Sequence, residues 1–104
     1  MIKSTVCYLV HDEKWLMLLR NKKRHDLNHG KWIGVGGKLK INETPYECMV
    51  REVIEETGYQ VQSALYCGII HFHYEHHEDE EIYVYQTSDY VGTLHECSEG
   101  TLAY

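Results

Sequence analysis

The apolar positions of the chain fall into short runs toward either end and into a helical repeat between them. Thr5 to Val10 is a β-rich run and Lys14 to Leu19 is a second apolar run. The polar His11-Asp12-Glu13 between them is short enough for a hairpin turn, so the chain opens with two antiparallel strands. Arg20 to Lys31, basic and polar with Asn28 and Gly30, reads as a loop. Trp32 to Gly37 alternates bulky residues with glycine, which suits a short strand whose backbone is closely approached by another group. Val61 to Glu75 and Glu81 to Gln86 predict two further strands, the second alternating Ile82 and Val84 against Tyr83 and Tyr85. The acidic turn His77 to Glu80 joins them.

The helical repeat carries the strongest boundary signals. Thr44-Pro45-Tyr46-Glu47 forms a capping box, with Thr44 as N-cap, Pro45 at the first helical position and Glu47 reaching back, and Gly58 supplies the stop. At about 100° per residue, Tyr46, Val50, Val53, Ile54 and Thr57 gather on one side, a stripe fit to pack on a sheet. Glu52, Glu55 and Glu56 fall within an arc of about 100° on the opposite side. The order β-β-loop-β-α-β-β predicts an α+β fold, a mixed β-sheet with one helix packed against it.

Composition narrows the function. A chain of 104 residues, 43% hydrophobic and 25% charged, is one globular domain with a modest core. No repeat, low-complexity tract or composition shift marks a linker, and Pro45 is the one proline. The net charge of -6 argues against a nucleic-acid partner, because neutralising a phosphate backbone takes a basic surface. No run approaches the roughly 18 apolar residues of a membrane span, and the start, MIKSTVCYLV, does not read as a signal segment, so the default expectation is a cytoplasmic protein without a membrane partner. Cys7, Cys48, Cys67 and Cys97 make no C-x-x-C pair and are read as reduced and mostly structural.

Three like charges on one helical face repel, by about 0.2–0.5 kcal/mol for an i,i+4 pair, and call for compensation. Mg²⁺ supplies it naturally, since it prefers a few carboxylates plus substrate phosphates. Periodicity alone leaves a solvated acidic face as the more common outcome of such a run. Spacing decides between the two. From Gly37 the chain reads Gly37, five residues, Glu43, seven residues, then Arg51-Glu52-Val53-Ile54-Glu55-Glu56-Thr57-Gly58-Tyr59. This resembles the Nudix box, G-x5-E-x7-R-E-U-x-E-E-x-G-U with U a bulky apolar residue, and every fixed position matches. Tyr59 is aromatic where an aliphatic residue is usual. A chance match at seven fixed positions is on the order of less than one in a million. The wider run from Leu18 to Gly58, with Lys22-Lys23-Arg24, Lys31-Trp32 and Gly34-Val35-Gly36-Gly37-Lys38, is similar to the MutT-type branch, which hydrolyses oxidised purine nucleoside triphosphates such as 8-oxo-dGTP. The resemblance continues more weakly to Tyr104.

The resemblance implies a Nudix-like α/β/α sandwich with its C-terminal helix missing, so that residues 1–104 form a single, C-terminally short Nudix domain. It implies that Glu52, Glu55 and Glu56, with the Gly36 backbone carbonyl and Glu99, bind Mg²⁺, for which Mn²⁺ can substitute. One of Glu52, Glu55 or Glu56 would also take the proton from the attacking water. Glu43 and Arg51 are implied to be structural, an ion pair tying loop to helix, with Arg51 also within i,i+4 reach of Glu55. Gly37 and Gly58 would sit where a Cβ clashes. Lys22, Lys23 and Lys38 are candidate phosphate contacts. Trp32, with Tyr8, Val10, Leu16, Leu18, Ile33 and Val35, is a candidate wall for a purine. Ile33 stands where a MutT-like relative has asparagine. The implied substrate is a small-molecule nucleotide, a nucleoside triphosphate cleaved to monophosphate and pyrophosphate. Another nucleoside diphosphate derivative, such as ADP-ribose or a dinucleoside polyphosphate, stays open.

Two other readings compete. His71, His73, His76 and His77 invite a zinc site, with His71, His73 and Glu75 on one strand face, although no cysteine stands at ligand spacing. A binding module that has kept the motif and lost turnover is the second. The chain stops early for the family, so a fragment of a longer enzyme, or a homodimer closing the core, also stays open.

Overall fold

A computed structural model of the chain describes residues 1–22 and 30–104. The loop read at 20–31 lies mostly outside them, and with it Lys23 and Arg24.

Ile2–His11 (β1) is the central strand. Its residues 2–9 pair in parallel with Glu80–Gly92 (β7), residues 4–7 pair antiparallel with Val35–Lys38 (β5), and residues 10–11 with Lys14–Trp15 (β2). The β1–β7 pair is what makes the sheet mixed. Asp12 and Glu13 close the β1–β2 hairpin with positive φ values of 50° and 63°, the left-handed pair used by tight hairpins. Tyr59–Phe72 (β6) lies antiparallel on β7 at the sheet edge, with register shifts between Val61 and Ser63, Ser63 and Leu65, and Tyr66 and Gly68. A smaller sheet has the order β4-β3-β8, built from Trp32–Ile33 (β4), Met17–Leu19 (β3) and Thr101–Ala103 (β8).

The runs expected as single strands are therefore divided between sheets. Lys14 to Leu19 breaks at Leu16, which is fully buried and whose N–H donates to the Leu9 carbonyl at 2.8 Å. Trp32 to Gly37 breaks at Gly34, where a Cβ would come within 2.5 Å of Val6 and 2.8 Å of Tyr8. Apolar patterning marks both runs as extended but cannot show that the chain steps from one sheet to the next. The pair Glu81–Gln86 extends to residue 92, and β8 carries no pattern strong enough to announce three residues.

The helix, Pro45–Thr57 (α1), starts and stops where its signals put it. Thr44 Oγ1 accepts from Glu47 N–H at 3.2 Å while Glu47 Oε1 accepts from Thr44 N–H at 3.0 Å. Gly58, at φ 85°, donates its N–H to the Ile54 carbonyl, a left-handed cap that a side chain would strain. Its facing corrects the expectation. The buried residues are Cys48, Met49, Val53, Glu56 and Thr57, while Tyr46 and Ile54 are each 40% exposed. The sheet-facing arc is thus centred near Met49 and Glu56, so that one of the three carboxylates lies within it and Glu52 and Glu55 lie on its flank rather than opposite it. Met49 and Val53 join Cys7, Leu9, Leu16, Val35, Val61 and Tyr85 in the core. Among the described residues no helix is long and apolar enough to cross a membrane.

Replacing Thr44 by alanine removes one half of the capping box. The expected loss is about 1 kcal/mol of unfolding free energy, read from the urea midpoint at unchanged slope.

Candidate metal centre under the helix

The site begins at the free edge of β5. In the β1–β5 ladder, Leu39 N–H donates to the Lys3 carbonyl, so hydrogen-bonded pairs fall at 5–37 and 7–35 and the pairs at 4–38 and 6–36 are the open ones. Gly36 and Lys38 consequently turn their backbone polar groups away from β1, toward the helix. Both are met there: Gly36 N–H donates to Glu56 Oε2 at 2.9 Å, and the Lys38 carbonyl accepts from Arg51 Nη2 at 3.2 Å. The Gly36 carbonyl shares that edge by the same ladder geometry.

Close approach is what the glycines permit. A Cβ on Gly37 would stand 2.5–2.7 Å from all three carboxylate atoms of Glu52, and one on Gly36 would overlap the Thr5 carbonyl. Gly37 therefore lets the helix lie this low over β5, and Gly36 lets β5 close on β1.

Arg51 gathers one half of the acidic residues. Its Nε and Nη2 grip Glu43 as a two-pronged pair at 2.7 and 2.9 Å, and Nη1 donates to Glu52 Oε1 at 2.7 Å and Glu55 Oε2 at 3.2 Å. Glu43 also accepts from Lys40 N–H at 2.9 Å. Hydrogen bonds from Arg51 and then from the Lys40 backbone hold the Glu43 carboxyl down at about 2. The guanidinium is pushed above its already high value, chiefly by Glu43. The loop, the helix and the end of β5 are tied through one side chain.

Glu56 anchors the other half. It is 6% exposed, hydrogen-bonds Glu99, and feels Glu52 beside it. Burial first, then the bond to Glu99, then the charge of Glu52, push its carboxyl up to about 9, with the Gly36 N–H opposing them. Single ligand atoms of Glu56, Glu99 and Cys97 all lie within 4.8 Å of one another. Glu99 arrives on the segment before β8, its Oε2 3.4 Å from Arg20 Nη1.

The structure thus brings Glu56 and Glu99 together, sets Glu52 beside them, and leaves Glu55 at the rim with its side chain 53% exposed. In its contacts, Lys22 stands on the far side of Cys97 from Glu56 and Glu99. Its Nζ donates to the Cys97 carbonyl at 2.9 Å, and it lines a cavity of about 470 Å³ along residues 94–102 that meets the acidic group only through Cys97. Lys38 is exposed at the end of β5, Trp32 is 51% exposed on β4, and Lys23 lies outside the described residues. Sequence reading passed over Arg20 and Cys97. The one available signal was their company: Cys97 stands two residues before Glu99, and Arg20 closes the strand that β8 pairs with. The histidines pair locally, His73 Nδ1 with Asp79 Oδ1 at 2.8 Å and His71 with Glu81 at 3.9 Å. Among the described residues they join no three-ligand group.

Residues 1–103 match the sequence model of the NUDIX domain. The chain belongs to the Nudix family. It is 30% identical over 83 residues to a Danio rerio protein named oxidized purine nucleoside triphosphate hydrolase, covering 79% of this chain and 53% of that protein. The chain therefore spans about half the length of this curated relative. Among solved structures, a MutT NUDIX hydrolase from Burkholderia pseudomallei superposes with a TM-score of 0.87 at 20% identity, covering 98% of this chain and 80% of that one, a likeness of fold. The MutT protein from Methanosarcina mazei gives 0.82 at 26% identity, covering 96% and 72%. The mixed sheet with its one packed helix is the Nudix fold.

The Glu56 carboxyl makes stability depend on pH in a definite direction. Its ordinary value is 4.5 and its folded value about 9, so the folded state holds a proton that the unfolded chain releases. That contribution is complete below about 4.5, shrinks as pH rises, and is gone above about 9. In chelator, the melting temperature of the parent protein is expected to fall between about pH 5 and pH 9 more steeply than that of Glu56→Gln. Parallel profiles would remove the buried charge from this account.

Proposed function

We propose that this Nudix chain hydrolyses a nucleoside triphosphate, an oxidised purine nucleotide such as 8-oxo-dGTP or a related purine, to the monophosphate and pyrophosphate with Mg²⁺, Mn²⁺ serving as a substitute. The observation that carries the reading is the buried Glu56 carboxyl held against Glu99, with Glu52 beside it and a backbone N–H as its remaining partner. Two carboxyls in contact, one of them buried, keep a proton between them or exchange it for a cation. The donors fit a hard divalent ion, since they are carboxylate oxygens and the edge-turned carbonyl of Gly36. Glu52, Glu55, Glu56 and Glu99 are the side chains that would hold it.

A divalent cation there would supply the positive charge that a polyphosphate and its attacking water need in order to align. The chain's own contribution is placement. Arg51 takes one oxygen of Glu52 and one of Glu55, fixing their rotamers and leaving each a second oxygen. Glu56 is fixed by the sheet edge, and Glu99 by Arg20. Among the helix carboxylates, one of Glu52, Glu55 or Glu56 accepts the proton released by water. The name of the Danio rerio relative supports the oxidised purine substrate. Lys22, Lys23 and Lys38 are the candidate phosphate contacts, and Trp32 the exposed ring available to a base.

A phosphate-release assay with added pyrophosphatase, run over nucleoside triphosphates, 8-oxo-dGTP, ADP-ribose and dinucleoside polyphosphates, tests the reading. Activity should require Mg²⁺ and fall at least about a hundredfold in Glu56→Gln. Equal rates for parent and variant would refute the role of Glu56, and preference for ADP-ribose would redirect the substrate. Arg51→Gln should act differently, raising the Mg²⁺ concentration for half-maximal rate about tenfold or more, because it orients the carboxylates without touching substrate.

A further inference from the structure

The segment that delivers Glu99 is folded back on itself. Cys97 and Gly100 bridge as antiparallel partners, Glu99 N–H donates to Cys97 Sγ at 3.5 Å, and Lys22 Nζ donates to the Cys97 carbonyl. Beyond it β8 pairs with β3, Thr101 opposite Leu19. These contacts fix the loop on both sides and turn the Cys97 thiol inward, to 4% exposure. Its sulfur then lies with an oxygen of Glu56 and an oxygen of Glu99 inside one span of 4.8 Å. Metal–oxygen distances of about 2.0–2.2 Å and metal–sulfur distances of about 2.3 Å let one ion reach three such atoms with little movement. Among the described residues no other group of three such ligands converges in this way.

We propose that Cys97 gives its sulfur to the cation held by Glu56 and Glu99, so that the site of this chain takes thiophilic divalent ions such as Zn²⁺, Co²⁺ and Cd²⁺ more tightly than Mg²⁺. A sulfur–metal bond forms as the thiol proton passes to solvent, and nothing is oxidised or reduced. Magnesium gains little from a thiol neighbour, because it is hard and reluctant to lose water. Zinc, cobalt and cadmium gain from a soft donor added to carboxylates. The inference rests on the reading that Glu56 and Glu99 hold a cation, and adds an ion preference that this reading does not contain.

Titrating metal-free protein with Co²⁺ separates the two. Visible bands report that cobalt is bound in a protein site, and a near-ultraviolet charge-transfer band reports a thiolate among its ligands. The parent protein should show both. Cys97→Ser should keep the visible bands and lose the charge-transfer band, and Cys67→Ser, at an exposed thiol, should keep both. In competition against Mg²⁺, Cys97→Ser should reduce the preference for Cd²⁺ at least about tenfold. Cadmium NMR of the parent protein reads the sulfur ligand without any substitution, so an unstable variant does not decide the matter. Visible bands with no charge-transfer band in the parent would overturn the role of Cys97 while leaving the carboxylate site standing. No cobalt bands at all would overturn both.

Discussion

A carboxyl group placed under a helix, against the open edge of a strand, is the constraint around which this fold is arranged. Taking an ionised carboxylate out of water costs several kcal/mol unless partners replace the lost solvation. Glu56 has one fixed partner of suitable polarity, the Gly36 N–H, and two neighbours of its own charge, Glu52 and Glu99. Without a cation the arrangement is resolved by a retained proton. The alternation of the β1–β5 ladder makes the partner available, because it leaves every second residue of β5 with its polar groups facing the helix. Shifting β5 by one residue would turn Gly36 back toward β1 and orphan both the carboxyl and the edge.

The sequence disclosed the parts of this arrangement that are local. The capping box, Pro45 and Gly58 specify both helix ends by short-range chemistry, and the helix runs between them. The spacing from Gly37 to Tyr59 put Glu52, Glu55 and Glu56 on neighbouring positions because a rigid helix converts sequence intervals into positions in space. What stayed hidden depends on distant chain. Tyr46, Val50, Val53, Ile54 and Thr57 formed the best apolar stripe, yet Tyr46 and Ile54 face solvent while Cys48 and Glu56 are covered. Periodicity assumes that the buried arc is the apolar one, and that assumption fails where a helix packs a charged residue inward for chemistry. Gly34 and Leu16 likewise reveal their role only through the second sheet, whose β8 partner lies more than 80 residues from Met17 and Leu18.

The two halves of the acidic cluster differ in how they are held. Glu43, Glu52 and Glu55 share Arg51, whose two-pronged grip on Glu43 joins the β5–α1 loop to the helix. The one guanidinium eases their mutual repulsion. Glu56 and Glu99 meet carboxyl to carboxyl, and Arg20 reaches one oxygen of Glu99. The first group is therefore tied to the helix's own loop and the second to the segment before β8.

That division also gives the small sheet a part in the chemistry. Glu99 does not belong to the motif that defines the helix. It is set by β8 pairing with β3, by Arg20 just after β3, and by Lys22 holding the Cys97 carbonyl, all contacts between chain segments 75 to 86 residues apart. Three β8 residues supply little burial of their own, since Thr101 and Ala103 are exposed and Leu102 is half-buried. Their pairing thus adds little apolar stabilisation and instead positions a second carboxyl and a thiol opposite Glu56.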